Sequence, residues 1–209
     1  MGVVYNRLAG QDVGRIAALS DGIFAVAMTL LVLDIHLPET SGVHSEAELW
    51  AGLVALAPRL VAWLMSMMTL GIFWLGQQTQ LNHLQRADRN LSWLHFVFLA
   101  VITLMPFSTR LLAEFFSYRV AFFLYWANIL FAGLALMACW LYAERARLVR
   151  VDAPPEIAGA ICRRIIYAQA LYAFGAALGL VHVGLGVAFI LLVQLNYVIA
   201  PKLPILYKL

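Results

Sequence analysis

Charged residues are scarce in this sequence: Asp, Glu, Lys and Arg make up 12% of its 209 residues, whereas 64% are hydrophobic. A soluble domain carries about 25% charged residues, so this chain lacks the polar surface that a water-soluble fold needs. A disordered chain is also excluded, because disorder goes with low hydrophobicity and high charge. The composition therefore predicts a polytopic membrane protein with little mass outside the bilayer.

Cysteine and patterned histidine are also lacking. The two cysteines, Cys139 and Cys162, fit no CxxC or Cys/His spacing, and the five histidines share no metal-ligand spacing. We therefore expect no disulfide framework, no metal site and no cofactor. The net charge of +3 is not arranged as a basic stripe interleaved with aromatic residues, so nucleic acid is not an expected partner.

What the sequence has instead is long apolar runs. A helical crossing takes roughly 20 residues, and the runs allow six crossings. The last two come from one apolar stretch, Ile165 to Ala200, which is too long for one crossing and turns at the cluster VHVGLG around His182. We predict a single all-α domain over residues 1–209, with spans at about 16–37, 49–76, 91–112, 120–143, 163–181 and 185–204.

The basic residues are divided unequally between the two sides that six spans create. Of the 14 Lys and Arg residues, only Arg59, Arg110 and Arg119 fall on the side with the acidic loop between spans 1 and 2. Because cytoplasmic loops are enriched in Lys and Arg, both termini are predicted to be cytoplasmic. The other eleven basic residues, which share the side of the termini, are Arg7, Arg15, Arg86, Arg89, Arg145, Arg147, Arg150, Arg163, Arg164, Lys202 and Lys208.

Span 1 is unusual because it contains two carboxylates, Asp21 and Asp34. A charged group inside a span costs several kcal/mol and points to a function. At about 100° per residue, Ser20 and Asp21 lie about 120–140° from Val26 and must face other helices. One mostly apolar stripe, called the span 1 stripe below, lies within about 60° of Val26. Its members are Leu19, Gly22, Val26, Thr29, Leu30, Leu33 and Leu37.

Two interpretations of the span 1 stripe follow from helical geometry. An apolar stripe is typical of helix packing or lipid contact. Alternatively, one such helix from each of several subunits could line a pore, in which apolar rings gate by dewetting and a hydroxyl ring at Thr29 partly replaces the water around an ion. Composition alone leaves both interpretations open.

Residues 15–38, RIAALSDGIFAVAMTLLVLDIHLP, resemble the opening helix of the bacterial transmembrane protein 175 family. The hallmark of that family is Arg-x-x-x-Phe-Ser-Asp, and this sequence has Arg15, Leu19, Ser20 and Asp21 at the four defined positions. The dipeptide Phe73-Trp74 and the segment MPFST at 105–109 look like the family's second and third spans. The likeness covers the first half of the chain by motif and the second half by span count.

The resemblance implies a passive, potassium-permeable channel that has no TVGYG filter. It implies a homotetramer in the bacterial inner membrane, with helix 1 of each subunit lining a central pore and potassium as the permeant ion. Carried over by offset from Asp21, the narrow hydrophobic ring that forms the gate falls on Val26. A hydroxyl layer falls on Thr29, and further apolar rings fall on Leu30 and Leu33.

The resemblance also implies that Arg15, Ser20 and Asp21 brace the pore helix against spans 2 and 3. The sequence departs from the family at the expected partners, since Gln77 lies near a usual His and His95 replaces a usual Asn. We expect Gln77 and His95 to take part in the bracing. Asn82 and His83 are the other polar candidates.

Asp34 lies near the outer end of span 1, where a ring of carboxylates would attract cations to the pore mouth. An ion pair with Arg59 is the alternative role. For the whole chain, a proton-permeable channel and a secondary ion transporter are the alternative functions, although no internal repeat typical of transporters is visible. An enzyme is not expected, because no His–Ser or paired-carboxylate constellation is present.

Overall fold

The described part of the chain is built of α-helices. A computed structural model describes residues 11–36 and 44–199, and in these ranges one isolated antiparallel β-bridge, between Leu84 and Val149, accompanies the helices. The predicted all-α class is confirmed. The helices are α1 Val13–Val32, α2 Glu46–Ala55, α3 Ala57–Asn82, α4 Arg89–Thr103, α5 Met105–Glu114, α6 Arg119–Arg145, α7 Ile157–Val181 and α8 Val183–Ile199.

Five helical segments are long and apolar enough to cross a membrane. They are α1, α3, the consecutive pair α4 and α5, α6, and α7. The apolar helix α8 is shorter, at 17 residues. By length and composition the chain is therefore a multi-pass membrane protein.

The first helix ends earlier than the sequence pattern predicts. The pattern predicts that span 1 reaches residue 37, but α1 ends at Val32 and the Leu33 amide donates to the Leu30 carbonyl at 3.1 Å in a tighter turn. Asp34 consequently lies beyond the helix and not within it. Leu37, at the end of the predicted stripe, lies outside the described residues.

The second and third predicted spans are each divided into two helices. The apolar run of 49–76 breaks at Leu56, between α2 and α3, because Pro58 favours the first turn of a new helix. The run of 91–112 breaks at Leu104, where Pro106 has no N–H for the Ile102 carbonyl. All residues of α2 stay at least partly exposed, so α3 forms the buried part of the second span.

The remaining predicted limits differ by a few residues. The chain turns at His182, whose backbone is extended between α7 and α8. Helix α7 starts at Ile157, before the predicted 163, so Arg163 and Arg164 lie within it. The predicted end of the sixth span, at 204, lies outside the described residues.

Helix α3 is central to the bundle and packs against α1, α5, α6 and α8. Three aromatic rings join it to the first and fourth helices. Phe98 of α4 lies 6.1 Å, between ring centroids, from both Phe24 of α1 and Phe73 of α3. Phe24 and Phe98 are fully buried, and this contact sets which face of α1 turns inward.

Two loops at one end of the bundle pair with each other. The Gln85 amide donates to the Leu148 carbonyl and the Arg150 amide donates to the His83 carbonyl, both at 2.9 Å. The Arg150 guanidinium also hydrogen-bonds both carboxylate oxygens of Asp152, which lowers the pKa of that carboxyl. The pairing places the basic α3–α4 and α6–α7 loops side by side.

Candidate functional site

Helix α1 has one buried face and one uncovered face. The buried face consists of Ile16, Ser20, Phe24, Ala27 and Leu31. Every described member of the span 1 stripe is exposed in the single chain, and the large apolar members range from Leu30 at 44% to Leu33 at 66%. The helices within residues 11–36 and 44–199 therefore leave the stripe without a partner, although it runs through an apolar span.

Thr29 is the single hydroxyl in the stripe. Its hydroxyl donates to the Val26 carbonyl at 2.9 Å, which uses the hydroxyl hydrogen within the helix. A hydroxyl oxygen has two acceptor lone pairs, so Thr29 still offers an acceptor on the exposed side. This oxygen can contact a cation without breaking the helix.

An apolar groove of about 410 Å³ runs beside the stripe. One wall is α1, with Leu19, Gly22, Val26 and Leu30, and the other contains Thr103 and Pro106 at the break between α4 and α5. A Cβ atom added to Gly22 would meet nothing within 4 Å. The groove thus has room for side chains that the described part of the chain does not supply.

Ser20 faces the bundle interior and joins a buried polar group. The Gln77 amide nitrogen donates to the Ser20 hydroxyl at 2.9 Å and lies 3.2 Å from Nδ1 of His95. The Ser20 hydroxyl in turn donates to the Ile16 carbonyl at 2.8 Å. Ser20, Gln77 and His95 are each no more than 1% exposed, and they connect α1, α3 and α4 through polar contacts inside the membrane span.

Asp21 is held by two neutral donors from α3. The indole nitrogen of Trp74 donates to one carboxylate oxygen at 2.8 Å, and the Gln78 amide donates to the same oxygen at 2.9 Å. Within residues 11–36 and 44–199, no basic side chain forms an ion pair with Asp21. The Asp21 carboxylate therefore contacts α3 and points away from the stripe.

Arg15 lies apart from these polar contacts. It borders an open groove of about 820 Å³ between the start of α1 and α4, together with Asp12, Arg89, Trp93 and His95. Among the described residues, its guanidinium makes no hydrogen bond to Ser20 or Asp21. The groove begins where Asp12 caps α1 by accepting from the Gly14 amide at 2.8 Å.

Asp34 pairs with a different arginine from the one considered in the sequence. The Arg110 Nε atom lies 3.9 Å from a carboxylate oxygen of Asp34 and 3.0 Å from one of Glu114, one turn along α5. Arg59 takes no part in this cluster. The positively charged guanidinium of Arg110 thus lies between two carboxylates, at the end of α1 opposite Arg15.

Comparisons with known proteins identify the family of the chain. The family model described as the endosomal/lysosomal potassium channel TMEM175 matches residues 15–106, which contain α1 from Arg15 onward and all of α2, α3 and α4. A potassium channel of Streptomyces collinus is 33% identical over 180 residues, which cover 83% of this chain and 84% of that protein. The chain belongs to the TMEM175 family.

Other TMEM175 proteins extend the comparison. A potassium channel of Chamaesiphon minutus is 32% identical over 87% of this chain and 92% of its own length. The crystal structure of a lysosomal potassium-selective channel TMEM175 homolog from the same organism has a TM-score of 0.79 and 28% identity, and covers 90% of this chain and 97% of that one. The human endosomal/lysosomal proton channel TMEM175 is 33% identical over 44% of this chain and 19% of its own length.

Sequence reasoning about this TMEM175 chain missed two residues that contact Asp21. Trp74 and Gln78 lie four positions apart on α3, and Gln77 is adjacent, so all three share one side of that helix. This spacing is the feature of the sequence that could have identified Trp74 and Gln78 as partners of Asp21. Of the other two candidates, His83 Nδ1 lies 2.7 Å from the Thr79 carbonyl of its own helix and Asn82 is exposed, so neither reaches Ser20 or Asp21.

Proposed function

We propose that this TMEM175 chain forms a homotetrameric cation channel in the bacterial inner membrane, potassium-selective or weakly so. Helix α1 of each subunit lines the central pore, and conduction is passive. The observation that carries the proposal is the span 1 stripe, which the described helices leave uncovered while they bury the opposite face of α1. One such helix per chain must be multiplied by symmetry to enclose a pore.

The stripe has the chemistry of a hydrophobic pore. Four copies of Val26 form the narrow gate, and rings of Leu30 and Leu33 extend the apolar lining, which closes by dewetting. The Thr29 oxygens give a passing ion a partial replacement for its hydration shell. The stripe contains no charged side chain, so potassium meets neither a binding trap nor a repelling ring between Leu19 and Leu33.

The polar contacts around Ser20 and Asp21 brace the pore helix from behind. Polar partners inside a bilayer hold helices in one rotation, because a carboxylate or hydroxyl left alone in hydrocarbon is costly. Gln77 holds Ser20 and in turn contacts His95, while Trp74 and Gln78 hold Asp21. We assign Arg15 to the cytoplasmic end of the same helix, where it contributes to orientation.

Six spans and cytoplasmic termini complete the proposal, with α8 as the sixth crossing. Its 17 residues match the short end of the range for a spanning helix. The paired α3–α4 and α6–α7 loops contain Arg86, Arg147 and Arg150, which supports a cytoplasmic location for that end of the bundle. The cluster of Asp34, Arg110 and Glu114 then lies at the outer mouth.

Flux through purified protein in liposomes tests the channel. We expect potassium to pass faster than sodium without ATP, Val26→Asp to raise the flux strongly, and Thr29→Ala to lower the preference for potassium. Val26 and Val32 offer a matched pair, since they are 57% and 51% exposed on different faces of α1. Val26→Ala should change the flux, whereas Val32→Ala should leave it unchanged.

Three results would contradict the proposal: flux strictly coupled to a second ion, a monomer in detergent, or equal effects of the two valine substitutions. A relative named as a proton channel makes proton flux the second candidate. It is measured in the same liposomes with potassium absent. Proton flux that exceeds potassium flux would favour that candidate.

A further inference from the structure

Three charged side chains meet directly after Leu33, the last member of the span 1 stripe that the structure describes. Leu33 is 66% exposed at the end of α1, and Asp34 follows it in the turn. Helix α5 packs against α1 and brings Arg110 and Glu114 to the same place. In the proposed tetramer this cluster surrounds the mouth through which cations reach the pore from outside.

The two ion pairs of Arg110 are unequal. At 3.0 Å from Glu114, its Nε donates a charge-assisted hydrogen bond. At 3.9 Å from Asp34, the same atom is beyond hydrogen-bonding distance, so that contact is purely Coulombic. The Arg110 side chain is 58% exposed and the Asp34 side chain 21%, so water and mobile ions reach the cluster.

The net charge of this three-residue cluster has a consequence for conduction. Asp34 and Glu114 contribute two negative charges and Arg110 one positive charge, which leaves a net charge of −1 per subunit. A ring of carboxylates at a pore mouth concentrates cations, and a compensating guanidinium reduces that concentration. Removing Arg110 would double the net charge, while removing Asp34 would cancel it.

We propose that Arg110 sets the electrostatic potential at the outer mouth by compensating Asp34 and Glu114, and so limits how fast cations reach the pore. The inference rests on the proposed channel function and assigns a conductance-setting role to a residue outside the pore helix. Asp34 keeps its predicted attraction for cations, but its strength depends on Arg110. We expect the effect on inward currents, in which cations enter the pore from the end where Asp34 lies.

Single-channel currents at two ionic strengths test this inference. The Debye length is about 30 Å at 0.01 M salt and about 3 Å at 1 M, so an electrostatic effect appears at low salt and disappears at high salt. At the lower concentration, Arg110→Gln should raise the inward potassium current about twofold or more, and Asp34→Asn should lower it by a similar factor. The double variant Asp34→Asn, Arg110→Gln restores the net charge of −1 and should return to the wild-type current.

Arg110→Lys is the matched control, because it keeps the charge and should keep the wild-type current. The mass of each variant in detergent shows that the assembly is intact. An unchanged or lower current for Arg110→Gln at low salt overturns the inference, and so does an increase of equal size at high salt. In both cases the wild-type current still supports the channel. Absence of wild-type potassium current overturns the proposed function and this inference with it.

Discussion

Gln77 is the residue on which the support of α1 depends most directly. Its amide nitrogen donates to Ser20 and approaches His95, while its side-chain oxygen is buried without a hydrogen-bond partner among the described residues. A single amide thus connects three helices within the apolar layer. Interhelical hydrogen bonds in membranes are worth about 0.6 kcal/mol on average and up to about 1.7 kcal/mol.

We predict that Gln77→Leu lowers the stability of the protein by about 1 kcal/mol, because Ser20 and His95 lose their shared partner. Thermal unfolding in detergent measures the change. Thr79→Val is the control on the same helix, since Thr79 is exposed and its hydroxyl, among the described residues, bonds only the Leu75 carbonyl of its own helix. Equal loss from the two substitutions would show that Gln77 does not connect the helices.

How much of the site the sequence predicts depends on whether a residue's neighbours are local. The rotation of Ser20 and Asp21 away from the stripe follows from positions on one helix, and the structure has the same division. The choice of Trp74 and Gln78 as partners of Asp21 depends on how α3 is rotated relative to α1. That rotation follows from long-range packing of Phe24, Phe73 and Phe98, which no local pattern contains.

At the scale of elements, proline explains two helix breaks that the hydropathy pattern does not indicate. The apolar runs pass through Leu56 and Leu104 without a charged residue within two positions to mark an end. Pro58 and Pro106 each lie in the first turn of the following helix, a position that tolerates the missing N–H. Reading these prolines as helix starts would have predicted both breaks, and the second one forms a wall of the groove beside the stripe.

Glycine determines how closely the last two helices approach. A Cβ atom added to Gly186 of α8 would lie 2.8 Å from the Gly175 carbonyl oxygen and 3.0 Å from the Gly179 Cα atom, both on α7. It would also lie 2.7 Å from the ring of Phe122. Because two of these contacts are to backbone atoms, rotation of a side chain cannot relieve them.

We therefore predict that Gly186→Ala destabilises the protein by about 1–3 kcal/mol, the usual cost of overpacking. Gly71→Ala is the matched control, because a Cβ atom there meets nothing within 4 Å and alanine favours a helix by up to about 1 kcal/mol. Thermal unfolding in detergent should separate the two variants. A Gly186→Ala protein as stable as Gly71→Ala would mean that α7 and α8 are not packed this closely.

At the scale of the whole molecule, the sequence predicts the membrane environment of the chain better than it predicts the number of subunits. The scarcity of charge indicates a multi-pass membrane protein, and the helices have the length and composition for it. Composition contains no equivalent signal for the number of subunits, because an apolar stripe reads the same against lipid or another chain. The number four in the proposed tetramer follows from the family resemblance, while the stripe left uncovered by the described helices, beside its groove, offers a surface that a second chain or lipid can cover.

Two glycines make the assembly testable within one experiment. Gly22 on α1 and Gly71 on α3 both have open space around an added Cβ atom in the single chain. Only Gly22 belongs to the stripe and groove that the proposed tetramer encloses.

We predict that Gly22→Leu disrupts the tetramer, because four added side chains compete for the space of neighbouring helices. Gly71→Leu, in contrast, should leave the mass of the assembly in detergent unchanged. Both substitutions favour helix formation, so loss of helical structure would not explain a difference. Equal masses for the two variants would contradict α1 as the meeting point of the subunits and leave the stripe to lipid.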